Sequence, residues 1–164
     1  MSIRALSVRG IRIDRAANTP VLSLREDEAP RRTLDIYIGA PEAAAISVAL
    51  EGVTVPRPLT HDLFFRSIEA LGASVERVVL THVSDGTYFA EIVLSDAADE
   101  EVRVSARPSD AVALALRAGC PVYAHEELLE TAGTSAQEEE VRSEEILDEF
   151  RDFIENISPE DFDT

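Results

Sequence analysis

Two runs of alternating apolar residues stand on either side of Asp85-Gly86, and they constrain the fold more than any other part of the chain. The runs are VERVVLTHV (75–83) and TYFAEIVL (87–94). Alternation with a period of two predicts strands with one buried face, and an Asp-Gly pair between such strands is a strong signal for a tight hairpin. The run EVRVSA (101–106) predicts a third strand that continues this meander.

The N-terminal part of the chain predicts further strands. Alternation over residues 3–13 changes phase at Gly10, as a β-bulge would cause. PVLSLRE (20–26) and TLDIYIG (33–39) flank a polar loop and predict a second hairpin. PVYA (121–124) predicts a short last strand.

Three short helices are predicted, over residues 41–51, 60–71 and 109–118. The first begins with a proline, whose missing donor costs nothing there, and a glycine follows its last residue. The third is apolar almost all round, which predicts that it is buried. The second carries an apolar face made of Leu63, Phe64, Ile68 and Leu71.

The C-terminal part differs from the rest in charge and composition. We predict one domain over 1–130, a linker over 131–137 and an acidic helix and tail over 138–164. Residues 138–164 hold 12 acids and 2 arginines, a net −10 of the chain's −17. The apolar stripe of this helix either folds back on the domain or pairs with a second chain. It consists of Ile146, Leu147, Phe150, Phe153, Ile154 and Ile157.

The basic residues exclude several chemistries. All 15 are arginines, so mechanisms that need a lysine, such as a Schiff base, a phosphate-loop lysine or a nuclease motif ending in lysine, are ruled out. Cys120 is the one cysteine, so no internal disulfide forms. No stretch approaches the roughly 20 apolar residues of a membrane span, and we expect a cytoplasmic protein with no membrane partner.

Two Arg-Pro corners share one pattern: Arg-Pro, a hydroxyl residue, Asp and then an apolar helix. They are RPLTHDLFF (57–65) and ARPSDAVAL (106–114). Thr60 and Ser109 are predicted N-caps, and an Asp in each first turn suits the positive end of the helix dipole. Capping alone explains many such helix starts, so each corner could be structural and nothing more.

The same corners also carry the chemistry of a site. Arg57 and Arg107 stand just outside helix N-termini, where a guanidinium beside backbone donors suits an anion such as phosphate. His61 and Asp62 are adjacent and could hold a divalent metal or move a proton. Residue types alone therefore support an anion or metal site, provided that the two corners lie together.

Several segments, taken together and in order, resemble the bifunctional nuclease domain family of bacteria and plants. The resemblance runs from about Ile3 through Leu129. Where the family commonly has Pro-Ile-Trp before an Ile-Gly pair, this chain has Asp35-Ile36-Tyr37, which adds a carboxylate at a strand. The segments are PVLSLRE, IGAPEAAAI (38–46), RPLTHDL (57–63), DGTYFAEI (85–92) and RPSDAVALALRAGCPVYAHEEL (107–128).

The resemblance implies an α+β fold, a homodimer or larger assembly, and metal-assisted cleavage of both DNA and RNA. On the matching positions, we expect His61, Asp62 and Asp110 to be catalytic. Asp62, Asp110 and Glu42 would be ligands of Mg²⁺ or Mn²⁺. Phosphate would be bound by Arg57, Arg107, Thr60 and Ser109.

The alternative is a non-enzymatic dimeric module, regulatory or scaffolding, that binds a small anion or a protein partner at the two corners. It accounts better for the net charge of −17, which opposes the approach of a polyanion. For the fold, we predict a single α+β domain with a mixed, largely antiparallel sheet packed against short helices.

Overall fold

The computed structural model describes residues 2–135, 145, 147–148 and 151–152, and these residues contain one mixed sheet and four helices. The strand order is β3-β2-β1-β7-β4-β5-β6, in which β4 and β7 are parallel and the other pairs are antiparallel. The predicted α+β class is confirmed. The strands are β1 (Ile3–Asp14), β2 (Thr19–Glu26), β3 (Thr33–Tyr37), β4 (Ser74–Ser84), β5 (Thr87–Ser95), β6 (Glu101–Ala106) and β7 (Val122–His125). The helices are α1 (Ala40–Leu50), α2 (Thr60–Ala70), α3 (Pro108–Ala118) and α4 (Glu126–Ala132).

Both predicted hairpins and the predicted bulge are confirmed. Asp85 and Gly86 have φ of 49° and 74°, the left-handed pair that a two-residue hairpin turn needs. Pairing of β1 with β2 shifts register between Val8 and Gly10, where Gly10 has φ of 136°. Because a shift by one residue turns side chains to the other face, this bulge restores the apolar phase of β1.

The core lies between the sheet and the pair α1 and α3. As predicted, α3 is buried along most of its length, with Val112 and Leu114 fully enclosed. The small buried residues Ala43 and Ala45 let α1 pack closely against its neighbours, α3 and the sheet. Full burial of a valine or leucine contributes about 1.5–3 kcal/mol relative to exposure, so this layer holds the starts of both helices in place.

The apolar face predicted for α2 is buried only in part. Ile68 is buried, whereas Leu63 and Leu71 are 60% and 81% exposed and Phe64 is also exposed. The reason is that α3 takes the central place against the sheet, so α2 packs mainly on α3 and less on β4. An exposed apolar surface therefore remains along α2.

The chain after β7 begins with a helix that was not predicted. The predicted linker 131–137 starts inside α4, and Thr134 pairs with Thr33 through two backbone hydrogen bonds of 2.8 Å. The end of that linker and most of the predicted acidic helix 138–164 lie outside the described residues. None of the helices described by the structure has the length and apolar character needed to cross a membrane.

Candidate active site

Three helix N-termini meet at one cavity of about 830 Å³. The first turns of α1, α2 and α3 each contribute to its wall, and β5 and β6 close it with apolar side chains such as Ile92 and Val104. Each N-terminus carries the positive end of a helix dipole, equivalent to about half an elementary charge. The two Arg-Pro corners, which are far apart in sequence, thus face a common cavity.

The local structure of each corner follows from its proline. Arg107 is extended, with φ of −71° and ψ of 144°, and Pro108 is the first residue of α3. At the other corner, Leu59 is the N-cap of α2, and its backbone N–H donates to Asp62 Oδ2 at 2.9 Å. The prediction that Thr60 and Ser109 are the N-caps was wrong. Thr60 is the first residue of α2, where the predicted range 60–71 also begins, and Ser109 is the second residue of α3, which begins at Pro108.

Four polar side chains at the cavity form a continuous chain of contacts, which we call the polar cluster: Glu42, His61, Arg107 and Asp110. His61 Nε2 lies 2.8 Å from Asp110 Oδ1. Arg107 Nε donates to Asp110 Oδ2 at 2.7 Å, and Arg107 Nη2 donates to Glu42 Oε1 at 2.8 Å. One arginine therefore bridges a carboxylate of α1 and a carboxylate of α3.

Burial and neighbouring charges shift the pKa of Asp110 in opposite directions. Its burial favours a raised pKa, but hydrogen bonds from Arg107 and His61 outweigh burial and hold the pKa of this carboxyl below its ordinary value. The hydrogen bonds to Asp110 and Glu42 raise the pKa of Arg107 in turn. Asp110 is therefore a carboxylate at neutral pH and can only accept hydrogen bonds.

Gly39 makes room for Glu42 to join the cluster. This glycine is the N-cap of α1, and a Cβ at its position would collide with the Glu42 carboxylate. The side chain of Glu42 is 16% exposed, whereas that of Arg107 is 65% exposed. The carboxylate is thus held at the wall while the guanidinium reaches solvent.

Asp62 points away from the polar cluster. Its Oδ1 accepts from Arg117 Nε at 2.6 Å, and its Oδ2 caps α2. The backbone hydrogen bond from Leu59 lowers the pKa of Asp62 most, and the pair with Arg117 adds to it. This carboxylate lines a separate cavity of about 360 Å³, so the structure does not bring Asp62 and Asp110 together.

The three remaining predicted site residues, Thr60, Arg57 and Ser109, do not all lie at the same cavity. Thr60 lines the cavity beside His61. Arg57 is exposed and forms no ion pair with the part of the chain that the structure describes. Ser109 is buried and lines a smaller neighbouring cavity of about 270 Å³ together with Arg107.

Sequence reasoning missed Arg117, which locks Asp62 in place. Arg117 also donates to the backbone carbonyl of Ala113 at 2.8 Å and of Ala45 at 3.2 Å, so it ties α3 to both α1 and α2. Its one local signal is its place in the last turn of α3, where a cation suits the helix dipole. That signal does not reveal a partner 55 residues away in the sequence.

The predicted metal ligands do not fit a metal ion as they are arranged. Asp62 is paired with Arg117, and Arg107 bridges the other two carboxylates, Glu42 and Asp110. Among the described residues, no group of three His, Cys, Asp or Glu side chains is placed to hold a metal ion. A role for Mg²⁺ or Mn²⁺ stays a prediction.

Comparison with known proteins shows to which family this sequence belongs. The sequence profile of the bifunctional nuclease domain matches residues 22–137. An uncharacterized protein of Mycobacterium tuberculosis is 43% identical over 162 residues, which cover 94% of this chain and 95% of that protein.

Two plant relatives are more distant. Bifunctional nuclease 2 of Oryza sativa subsp. japonica is 26% identical over 79% of this chain and 41% of its own length. Bifunctional nuclease 1 of Arabidopsis thaliana is 26% identical over 70% of this chain and 36% of its own length. With a profile match over most of its length, the chain belongs to the bifunctional nuclease domain family.

Proposed function

We propose that this chain is a nuclease that hydrolyses phosphodiester bonds of DNA and RNA at the cavity of the polar cluster. The observation that carries the proposal is the contact of His61 with Asp110 at a cavity where three helix N-termini and Arg107 converge. The names of the plant relatives support the same activity, and they concern proteins more than twice as long as the region that matches.

Phosphate binding follows from the charges at the cavity. The helix N-termini favour an anion there, and Arg107 presents the larger part of its side chain to solvent. Its Nε and Nη2 atoms are bonded to the two carboxylates, while Nη1 makes no hydrogen bond with the described residues. The Nη1 N–H groups are therefore available to a phosphate oxygen, with the guanidinium held in place by the carboxylates.

Proton transfer is assigned to His61. Because the Asp110 carboxylate can only accept, the neutral imidazole donates its Nε2–H to it and leaves Nδ1 as the basic nitrogen. Nδ1 takes a proton from water, the resulting hydroxide attacks phosphorus, and the bond to the leaving oxygen breaks. The imidazolium then returns the proton to that oxygen, and Asp110 stabilises the charged ring in between.

The non-enzymatic module is supported by a different observation. Both carboxylates of the cluster neutralise Arg107, and the whole chain has a net charge of −17. Such a cavity suits a small anion or a protein partner better than a long polyanion. Activity measurements separate the two functions.

Supercoiled plasmid and a structured RNA are the substrates for the test. Protein stripped with chelator is assayed without metal, with Mg²⁺ and with Mn²⁺, next to His61→Ala and Asp110→Asn. We expect each variant to lose at least about 100-fold in rate, the typical contribution of general acid–base catalysis. His82→Ala is the matched control, because His82 is an exposed imidazole on β4 away from the cavity and is expected to keep the wild-type rate.

Equal trace cleavage by wild type and both cluster variants would mean contamination and would remove the nuclease proposal. Retained binding of small phosphate compounds in that case would favour the module. A rate that appears only with Mn²⁺ or Mg²⁺ would support the predicted metal requirement and place it on ligands that rearrange when the metal binds.

We also propose that the chain acts as a homodimer. Leu63 of α2 and Leu71 at its C-cap expose large apolar side chains, and β6 is an edge strand whose Val102 and Val104 are exposed. An open strand edge and an exposed apolar surface are each suited to pairing with a second copy of the chain. Light scattering after size exclusion should give twice 17.9 kDa, and a monomer mass at micromolar concentration would contradict the dimer.

A further inference from the structure

A second cavity adjoins the active-site cavity, with Arg107 in the wall of both. Its volume is about 270 Å³, and Tyr37, Tyr88, Gly39 and Gly86 contribute to its lining. The chain contains three tyrosines, so two of the three line this one small cavity. Such a concentration of aromatic rings is unexpected in a chain with only 5% aromatic residues.

The curvature of the sheet brings the two tyrosines to one cavity. Tyr37 ends β3 and Tyr88 lies near the start of β5, and four strands separate β3 from β5 in the sheet. The sheet therefore curls until the end of β3 approaches the turn between β4 and β5. The glycines at 39 and 86 add no side chains to the cavity that the two tyrosines line.

The chemistry of the cavity suits a flat ring. The Tyr37 residue is 58% exposed, and its hydroxyl donates to Asp14 Oδ2 at 2.6 Å, which orients the ring. The volume is slightly below the roughly 300–1,000 Å³ of cavities that hold drug-sized ligands, which is suitable for one base rather than a whole nucleotide. Aromatic side chains bind unpaired bases by stacking, with little dependence on sequence.

We propose that this cavity, defined by Tyr37 and Tyr88, is a stacking subsite for one unpaired nucleobase next to the phosphate held by Arg107. The subsite rests on the proposed nuclease function and narrows its substrate to single-stranded DNA or RNA and to unpaired regions of folded RNA. A base in a duplex is stacked on its neighbours and cannot enter unless it leaves the helix.

Binding of fluorescein-labelled oligonucleotides, measured by anisotropy in the presence of chelator, tests the subsite. The probes are a short oligothymidylate, an abasic oligonucleotide of the same length, and a duplex. For the wild-type protein we expect the oligothymidylate to bind more tightly than the other two.

For Tyr37→Ala we expect the Kd for oligothymidylate to rise about 5- to 150-fold, the range that stacking of about 1–3 kcal/mol per base corresponds to. Tyr37→Phe keeps the ring and loses the bond to Asp14, so it should restore most of the affinity. Tyr88→Leu keeps apolar bulk without an aromatic ring and serves as the second test if Tyr37→Ala does not fold. Binding of the abasic probe should be the same for all of these proteins.

Equal affinity of wild type, Tyr37→Ala and Tyr88→Leu for oligothymidylate would overturn the subsite, and so would equal affinity of the wild type for abasic and base-containing probes. Cleavage by the wild type in the same preparations would then leave the nuclease proposal standing. Ring-dependent binding together with no cleavage of plasmid or RNA, whether metal is omitted or Mg²⁺ or Mn²⁺ is added, would support the subsite and overturn the nuclease. If the wild type binds none of the probes, the subsite is overturned as well.

Discussion

Glu26→Gln should strongly destabilise this protein although Glu26 is remote from the active site. Glu26 is 3% exposed and accepts three hydrogen bonds from Arg32, through the backbone N at 2.9 Å, Nε at 2.8 Å and Nη2 at 2.9 Å. Arg4 Nε adds a fourth at 3.0 Å, and Arg32 also contacts Glu126 at 3.3 Å. The carboxylate thus connects β1, the β2–β3 hairpin and α4.

The magnitude follows from the pKa of Glu26. Hydrogen bonds from Arg32 outweigh the effect of burial and, with Arg4, lower this pKa from 4.5 to about 2. At about 1.36 kcal/mol per pH unit, the charged form contributes about 3 kcal/mol to the free energy of unfolding. A neutral amide loses that contribution and leaves two arginines without their carboxylate, an effect of the same order as breaking a buried ion pair, about 3–5 kcal/mol.

The pH dependence has a definite sign. Because the pKa in the folded state is lowered, the stabilisation is complete above the unfolded-state value of 4.5 and is lost as pH falls towards about 2. The difference in unfolding free energy between wild type and Glu26→Gln should therefore be largest at neutral pH and shrink across that interval.

Urea unfolding followed by circular dichroism measures the effect, and heating gives a second value. A loss of about 3 kcal/mol corresponds to a Tm lower by about 6–12 °C for a domain of this size. Glu101→Gln is the matched control, because Glu101 also pairs with two arginines, Arg77 and Arg103, but is exposed, and it should change stability very little. Equal stability of the two variants at pH 7 would refute the reasoning.

Three further predictions concern single positions. Asp62→Asn removes the charge that faces Arg117, whose side chain is 7% exposed, so urea unfolding should show a loss of about 2 kcal/mol in the free energy of unfolding. The rate of cleavage should fall far less than in the polar-cluster variants. A selective loss of rate would return Asp62 to the active site. Gly39→Ala places a methyl group against the Glu42 carboxylate, so cleavage should slow while Tm changes by only a few degrees. An unchanged rate would show that the position of the Glu42 carboxylate does not matter for activity. Burial raises the pKa of the Cys120 thiol, so alkylation by iodoacetamide at pH 8 should be slow until urea unfolds the protein, and rapid labelling of the folded chain would contradict this.

The strands were the most predictable part of the fold. Alternation with a period of two and the Asp85-Gly86 turn are local properties, and the positive φ values of that turn follow directly from its residue types. The helix starts were predicted to within two residues. The N-caps were assigned wrongly to Thr60 and Ser109 because the prolines, and not the hydroxyl residues, determine where each helix starts. The exposed face of α2 was not predictable, since it depends on α3 occupying the sheet.

The sequence alone determined the seven strands, the helices α1, α2 and α3, the lysine-free chemistry and the two matching corners, because propensity and periodicity act over a few residues. Only the tertiary structure decided that His61 contacts Asp110 across 49 positions of sequence while Asp62 turns to Arg117. Both carboxylates stand in first turns with the same local signals. Which way each points depends on where an arginine or an imidazole of another helix lies, and that is set by how α1, α2 and α3 pack together.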